Sequence, residues 1–176
     1  PASPAYGAIV EYAATPVVED AAPADAPEVE SVADEICIGP VCLSAGLYDI
    51  FLAEAKQRLA VLHEECARLD VSGSTAVSEH ARRAVHTLGG IAGTAGIGAL
   101  SDLAHACELY CNRFAHTPLP VAHAPLVREV VERIETMLSA VEQKRLPEAA
   151  SDLIATLAEL EEGQAARVEA DAAAEA

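Results

Sequence analysis

The sequence has 176 residues and carries 28 acidic against 11 basic side chains, a formal net charge of −17. Nucleic acids and anionic lipid surfaces are bound through Lys and Arg, so this balance excludes a nucleic-acid-binding or membrane-surface protein. No apolar run approaches the ~18 residues of a membrane-spanning helix, and we expect no membrane insertion. Hydrophobic residues reach 52% but aromatic residues only 3%, which favours close-packed helices over a β-sandwich.

The charge is unevenly distributed and predicts the domain boundaries. Residues 1–40 contain eight acidic residues, no basic residue and six of the ten prolines, so they are predicted to form a disordered linker. The nearly neutral part, 41–146, is predicted to be the folded domain. A candidate fifth helix at 147–163 and a disordered acidic tail at 164–176 follow it. A docking segment for a basic partner is the alternative function for the acidic head.

The chain begins with Pro1 and its single methionine is Met137, so we expect a monomeric module of a longer chain. The cysteines are odd in number and follow no signal sequence, and three of them fall at apolar helical positions. This usage predicts reduced thiols and a cytoplasmic location. The two that flank Ile-Gly-Pro-Val are predicted to lie in a hydrophobic strap against the helices. The five are Cys37, Cys42, Cys66, Cys107 and Cys111.

Four stretches of the central part carry apolar residues three and four positions apart, the spacing of an amphipathic helix. No segment shows the sustained alternation of a β-strand, and short connections between helices of this length imply antiparallel neighbours. The sequence therefore predicts an all-α fold, an up-down antiparallel four-helix bundle, with Pro147 opening an additional C-terminal helix. The apolar stripes run over residues 47–69, 77–95, 97–114 and 127–141.

One histidine lies on the exposed face of the second predicted helix. His86 is two residues from both Ala84 and Leu88 of the buried stripe, a rotation of ~200°, so its ring points away from the core. Neutral imidazole is nucleophilic and can accept a phosphoryl group, which nearby bases would stabilise. Each glycine in a helix costs ~1 kcal/mol, so three close together favour a surface cleared for a partner. We predict that His86 is the phosphoacceptor and that its docking surface consists of Arg82, Arg83, Gly89, Gly90 and Gly93.

The segment from His86 to Glu108, HTLGGIAGTAGIGALSDLAHACE, resembles the signature of histidine phosphotransfer (HPt) domains. The helix before it, with LYDIFLAEA at 47–55, resembles the opening helix of that family. The resemblance covers residues 43–142 and implies a four-helix bundle that carries a phosphoryl group on Nε2 of the histidine. The matching positions are His86, Leu88, Gly90, Ala92, Gly96, Ile97, Leu100, Leu103, Ala104 and Glu108.

The resemblance also implies partners, which are a response-regulator receiver domain and a histidine kinase core. The expected Mg²⁺ would sit on the receiver, with no cofactor on this domain and no kinase activity of its own. Similar variants of the motif resemble modules of chemotaxis-type kinases from type IV pilus (twitching) systems. The family usually has Lys where this chain has Gly89, which shifts electrostatic help to Arg82 or Arg83. An inactive bundle that only docks partners is therefore the alternative function.

A zinc site is a further alternative for the third helix and its end, where Cys and His residues lie close together. Cys107 and Cys111 continue the apolar stripe, however, and His105 lies ~200° around the helix from Cys107. A buried free cysteine behaves as a small hydrophobic residue. No metal site is therefore predicted from the four residues His105, Cys107, Cys111 and His116.

Overall fold

The computed structural model describes residues 34–72 and 75–160 of the chain. It begins with a short antiparallel hairpin of two strands, β1 (Glu35–Ile38) and β2 (Val41–Ser44). A 3₁₀ turn, Val121–His123, precedes the last helix of the bundle. The helices are α1 (Ala45–Ser72), α2 (Glu79–Thr94), α3 (Gly98–Arg113), α4 (Ala124–Glu142) and a fifth, α5, whose described part spans 151–160.

Helix α1 packs against α2 and α4, and α3 packs against the same two helices, which closes a four-helix bundle. The predicted all-α, up-down antiparallel architecture is confirmed. Its core consists of the apolar stripes seen in the sequence, and each large side chain buried there contributes ~1.5–3 kcal/mol. The side chains that are completely or almost completely buried include Leu88, Ile97, Leu100, Leu103, Val130, Ile134 and Val141.

The first predicted stripe is wrong at its start. Leu47 is 41% exposed, whereas the neighbouring Tyr48 is buried. The Tyr48 hydroxyl donates a hydrogen bond to the Val141 carbonyl oxygen at 3.1 Å, so its polar end is satisfied inside the bundle. A leucine therefore remains on the surface near the beginning of α1.

The hairpin is the main departure from the predicted helical architecture. Cys37 and Cys42 face each other across the two strands and form a disulfide, so the prediction of reduced thiols is wrong for this pair. Ile38 is completely buried against the core, which agrees with the predicted hydrophobic strap. Strands of four residues are too short for their alternation to be recognised in the sequence. The other three cysteines are free and buried, namely Cys66, Cys107 and Cys111.

The hairpin and α5 also move the predicted boundaries. The linker predicted over residues 1–40 overlaps β1, so the folded part begins earlier than residue 41. Helix α5 begins after Ala150, later than the predicted start at Pro147, and it buries Leu153 and Leu157 on the bundle. The remaining parts of the predicted head and tail, 1–33 and 161–176, lie outside the described residues.

A buried carboxylate joins the end of α1 to the beginning of α2. Glu65 accepts hydrogen bonds from the Ser78 main-chain N–H at 2.8 Å and from the Arg68 guanidinium at 2.5 and 2.9 Å. Ser78 is in turn the N-cap of α2, where its hydroxyl accepts from the Ala81 N–H at 3.1 Å. Burial acts to raise the pKa of the Glu65 carboxyl, but the hydrogen bonds from Arg68 and Ser78 outweigh it and lower the pKa below 4.5. This connection fixes where α2 starts.

We predict that Glu65→Gln lowers the free energy of unfolding by about 1–3 kcal/mol at neutral pH, because Arg68 and the Ser78 N–H lose a charged partner. The folded-state pKa of Glu65 is lowered, so its contribution is present above the unfolded-state pKa and is lost as the pH falls through the folded value. Urea unfolding measured across the acid range tests this. The exposed neighbour Glu64 provides a matched control, and an equal loss in Glu64→Gln would contradict the assigned role.

Candidate functional site

His86 stands on the surface of the bundle at the seam between α2 and α3. Its side chain is 71% exposed, because Ala84, Val85 and Leu88 on the same helix face the core. Its Nδ1 atom lies 2.9 Å from Oε1 of Glu108 on α3, whose side chain is 22% exposed. The ring is therefore held on one side by a partly buried carboxylate and open to solvent on the other.

This hydrogen bond determines which ring nitrogen is available for chemistry. A carboxylate can only accept a hydrogen bond, so the proton of the neutral ring resides on Nδ1. The lone pair of Nε2 is then free and lies on the side of the ring away from Glu108. A neutral, oriented imidazole of this kind is a nucleophile for a phosphoryl group.

Glu108 lies beside His86, although the sequence pattern did not place it in the site. It was noted only as a position of the family motif, 22 residues after His86. Nothing in that spacing alone shows that the two side chains meet. The contact could have been found from the antiparallel arrangement of α2 and α3. One known contact between two packed helices fixes which residues meet at their other contacts.

The pairs along this seam follow one regular register. Advancing along α2 by three or four residues meets α3 three or four residues earlier, as expected for antiparallel helices in contact. The Arg82 Nη1 atom donates to the Asn112 side-chain oxygen at 3.2 Å, one turn before the His86 pair. The later contacts join Gly89 to His105 and Gly93 to Ser101.

The two predicted arginines lie beside His86, but each already interacts with another side chain. An open cleft of about 260 Å³ contains both of them together with His86. Arg83 forms an exposed ion pair with Glu79, and Arg82 is held by Asn112. Two carboxylates thus accompany two guanidinium groups, and the cleft is less cationic than the sequence implied. Its lining residues are Glu79, Arg82, Arg83, His86, Glu108 and Asn112.

The three predicted glycines do not form one surface. Gly90 is exposed, and a Cβ atom added there would meet nothing within 4 Å. Gly89 is buried, and a Cβ atom at this position would lie 2.9 Å from the Cδ2 and Nε2 atoms of His105. A Cβ atom at Gly93 would lie 3.2 Å from Ser101 Oγ. The prediction that Gly89 belongs to an exposed docking surface is therefore wrong, because this residue faces α3 and not the solvent.

An apolar groove begins beside Gly90 and runs between α1 and α2, with a volume of about 160 Å³. Ile50 is 64% exposed and Leu47, which the sequence had placed in the core, forms the other exposed wall. Exposed apolar clusters mark interaction sites more often than isolated apolar residues do. We call this feature the α1–α2 groove, lined by Leu47, Ile50, Phe51, Glu54, Gly90, Ile91, Thr94 and Ala95.

The cysteines of α3 are part of the core. The sulfur atoms of Cys107 and Cys111 lie 3.8 Å apart, and both side chains are buried. The hydrogen bond with Cys107 and burial raise the pKa of the Cys111 thiol well above its usual range. Among residues 34–72 and 75–160, no three His, Cys, Asp or Glu side chains are grouped to hold a metal ion. None of the helices described here has the length and apolar character to cross a membrane.

The chain resembles two curated proteins, each named chemotaxis protein CheA, from Listeria monocytogenes serovar 1/2a and Listeria innocua serovar 6a. Each is 28% identical over 123 residues, which cover 68% of this chain and 19% of the relative. The matched region thus spans about a fifth of the length of these relatives. No solved structure matches this chain significantly. The family model of the Hpt domain matches residues 46–144, more than half of the sequence and the whole four-helix bundle but for the first residue of α1, and the chain belongs to this family.

Proposed function

We propose that His86 is the residue on which this Hpt domain carries a phosphoryl group, exchanging it with the aspartate of a response-regulator receiver domain. Membership of the Hpt family makes the chain a histidine phosphotransfer module of two-component signalling, a phosphocarrier and not an enzyme. The observation that carries the proposal is the exposed His86 ring, whose Nδ1 atom is held 2.9 Å from Glu108. Within the described residues, this arrangement gives one histidine an oriented and accessible Nε2 atom.

The transfer step follows from this geometry. The Nε2 lone pair of His86 attacks phosphorus, an N–P bond forms, and the P–O bond to the receiver aspartate breaks. The electron pair of that bond leaves with the carboxylate. The ring now carries a positive charge because both nitrogens are substituted while Nδ1 keeps its proton. The Glu108 carboxylate offsets this charge, and the reverse step returns the phosphoryl group.

The partner supplies the rest of the transfer machinery. Phosphoryl transfer relies on positioning and on neutralising the charge of the equatorial oxygens, and Mg²⁺ commonly does the latter. We expect that Mg²⁺ is bound by the receiver, and that Arg82 contributes a positive charge at the edge of the cleft. A histidine kinase core is the second expected partner, because an Hpt domain has no ATP-binding site of its own.

The α1–α2 groove is the surface on which we expect these partners to dock. It starts at Gly90, one helical turn beyond His86, and it exposes apolar side chains from two helices. Because the groove starts one helical turn from His86, we expect a partner docked on it to reach the His86 ring as well. The similarity to chemotaxis proteins favours a chemotaxis-type kinase as the parent protein, with a cytoplasmic location. More specifically, we propose that the parent kinase belongs to a twitching-motility system.

We predict that phosphoramidate, a small phosphoryl donor, labels the wild-type chain with an acid-labile, base-stable phosphate. His86→Gln should abolish the label while its circular dichroism and unfolding midpoint stay close to the wild type, because the side chain is exposed. The exposed His80 serves as the matched control, and His80→Gln should label normally. A folded wild-type chain that neither phosphoramidate nor any receiver labels would favour the alternative, a bundle that only docks partners.

A second prediction separates docking from chemistry. Ile50→Ser should slow labelling by a phosphorylated receiver domain about three- to tenfold, because it removes an exposed apolar contact of the docking surface. Labelling by phosphoramidate should not change, since this donor needs no docking surface. Val71, which is 88% exposed at the far end of α1, gives the matched control Val71→Ser. Equal rates from receivers in wild type and Ile50→Ser would exclude the groove as the docking surface.

A further inference from the structure

The hairpin of β1 and β2 carries its disulfide on the face that is turned away from the bundle. Cys37 and Cys42 are paired directly across the two strands, with a sequence separation of 5. Successive side chains of a strand point to opposite faces, and the next residues along, Ile38 and Leu43, are buried against the core. Both cysteines are exposed, so a thiol in solution can approach the bond while the bundle stays folded.

The other three cysteines of the chain are in a different environment. They are free thiols buried among the helices, and burial raises the pKa of the Cys66 thiol to about 11. Because the thiolate is the reactive form of cysteine, a buried thiol of this kind reacts slowly with reagents in solution. The hairpin pair is therefore the part of the cysteine set that is open to exchange with an external thiol. The three buried residues are Cys66, Cys107 and Cys111.

The hairpin needs support from outside its own strands. Each strand has four residues, and a two-stranded hairpin of this size is at best marginally stable in water. One further main-chain hydrogen bond continues the ladder, from the Ala45 N–H to the Asp34 carbonyl oxygen at 2.8 Å. The disulfide limits the open conformations that the two strands can adopt. Breaking it therefore leaves the hairpin held by a short ladder and by its packing on the bundle.

The hairpin also contacts both helices that form the α1–α2 groove. Strand β2 runs directly into α1, and the Ser44 hydroxyl accepts a hydrogen bond from the N–H of Leu47, a wall of the groove, at 3.3 Å. On the other side, Cγ1 of Val41 lies 3.2 Å from the place that a Cβ atom would take at Gly96. Gly96 directly follows Ala95, which lines the groove on α2. Order in the hairpin is thus linked to the position of both walls.

We propose that the Cys37–Cys42 disulfide is a redox-modification site, and that its reduction by a dithiol loosens the hairpin and weakens the docking of partners on the α1–α2 groove. Disulfides in reducing compartments are usually transient and serve catalysis or redox sensing, and the cytoplasmic location proposed above puts this pair in such a compartment. The effect on partners rests on the proposed function of the groove. Reduction of the bond concerns the hairpin alone.

The exchange proceeds in two steps. A thiolate of the dithiol attacks one sulfur atom of the pair, a mixed disulfide forms, and the other cysteine leaves as a thiolate. The second thiol of the reductant then attacks the mixed disulfide and releases the remaining cysteine. The pair gains two electrons and two protons, and the dithiol is oxidised to a disulfide. An oxidised dithiol of higher potential reverses the reaction.

The first measurement tests the site itself. The full chain is oxidised with oxidised glutathione, treated with the dithiol dithiothreitol or left untreated, and alkylated with iodoacetamide while folded. Peptide mass spectrometry should find Cys37 and Cys42 alkylated only after dithiothreitol, and the three buried cysteines unmodified in both samples. Hydrogen exchange should become faster over residues 35–47 on reduction and stay unchanged in α3. A pair that is free in the oxidised sample, a bond that resists dithiothreitol, or unchanged exchange in the hairpin would overturn the proposal.

The second measurement tests the effect on partners. A phosphorylated receiver domain should label the reduced chain about two- to fivefold more slowly than the oxidised chain, the loss expected if the groove keeps its docking form for about a fifth to a half of the time. Phosphoramidate should label both forms equally, because His86 is held by Glu108 and not by the hairpin. The double variant Cys37→Ser with Cys42→Ser should match the reduced wild type and should not respond to dithiothreitol.

The outcomes separate this proposal from the function of His86. Equal receiver rates in the oxidised and reduced chain would overturn the link between the hairpin and docking. An equal slowing with phosphoramidate would contradict an effect through the groove. Failure of the folded chain to be labelled by any donor in either redox state would refute the proposed function, while alkylation and hydrogen exchange would still decide whether the Cys37–Cys42 pair is a redox site.

Discussion

The hydrogen bond between His86 and Glu108 is the interaction on which the site depends. It crosses from α2 to α3, so it exists only where the two helices keep one register. The same register brings Arg82 to Asn112 and His105 to Gly89, and each contact helps to hold the others in place. A histidine on an isolated amphipathic helix would be exposed but free to rotate. Here a carboxylate on the neighbouring helix fixes the orientation of the ring.

The rest of the fold maintains that register. Large apolar side chains lock α2 and α3 together from the inside, while the Glu65–Arg68 pair fixes the N-terminus of α2 through Ser78. The hairpin covers one end of the bundle, where Val41 packs against Gly96 in the turn between α2 and α3. Gly96 has a φ of +73°, a conformation that glycine adopts without strain. This turn therefore helps to fix the register of α2 and α3 at the site.

Periodicity was enough to predict the four helices and the exposed position of His86, because both follow from the geometry of a single helix. Contacts between helices were not accessible in this way. Gly89 was assigned to the surface since it lies near His86 on a helical wheel, but the seam with α3 covers it. Glu108 was visible only as a motif position for the same reason. The Cys37–Cys42 disulfide was missed because it requires a hairpin that four-residue strands do not reveal in sequence.

On this view of the site, Glu108 holds the proton of His86 on Nδ1 and leaves Nε2 free for the proposed phosphoryl group. Long-range ¹H–¹⁵N NMR spectra of the full chain, recorded where the ring is neutral, report the tautomer directly. We expect a protonated Nδ1 in wild type, a shift towards the Nε2-protonated form in Glu108→Ala, and a phosphoryl group on Nε2 after labelling. A wild-type ring protonated on Nε2, or a phosphoryl group on Nδ1, would contradict it.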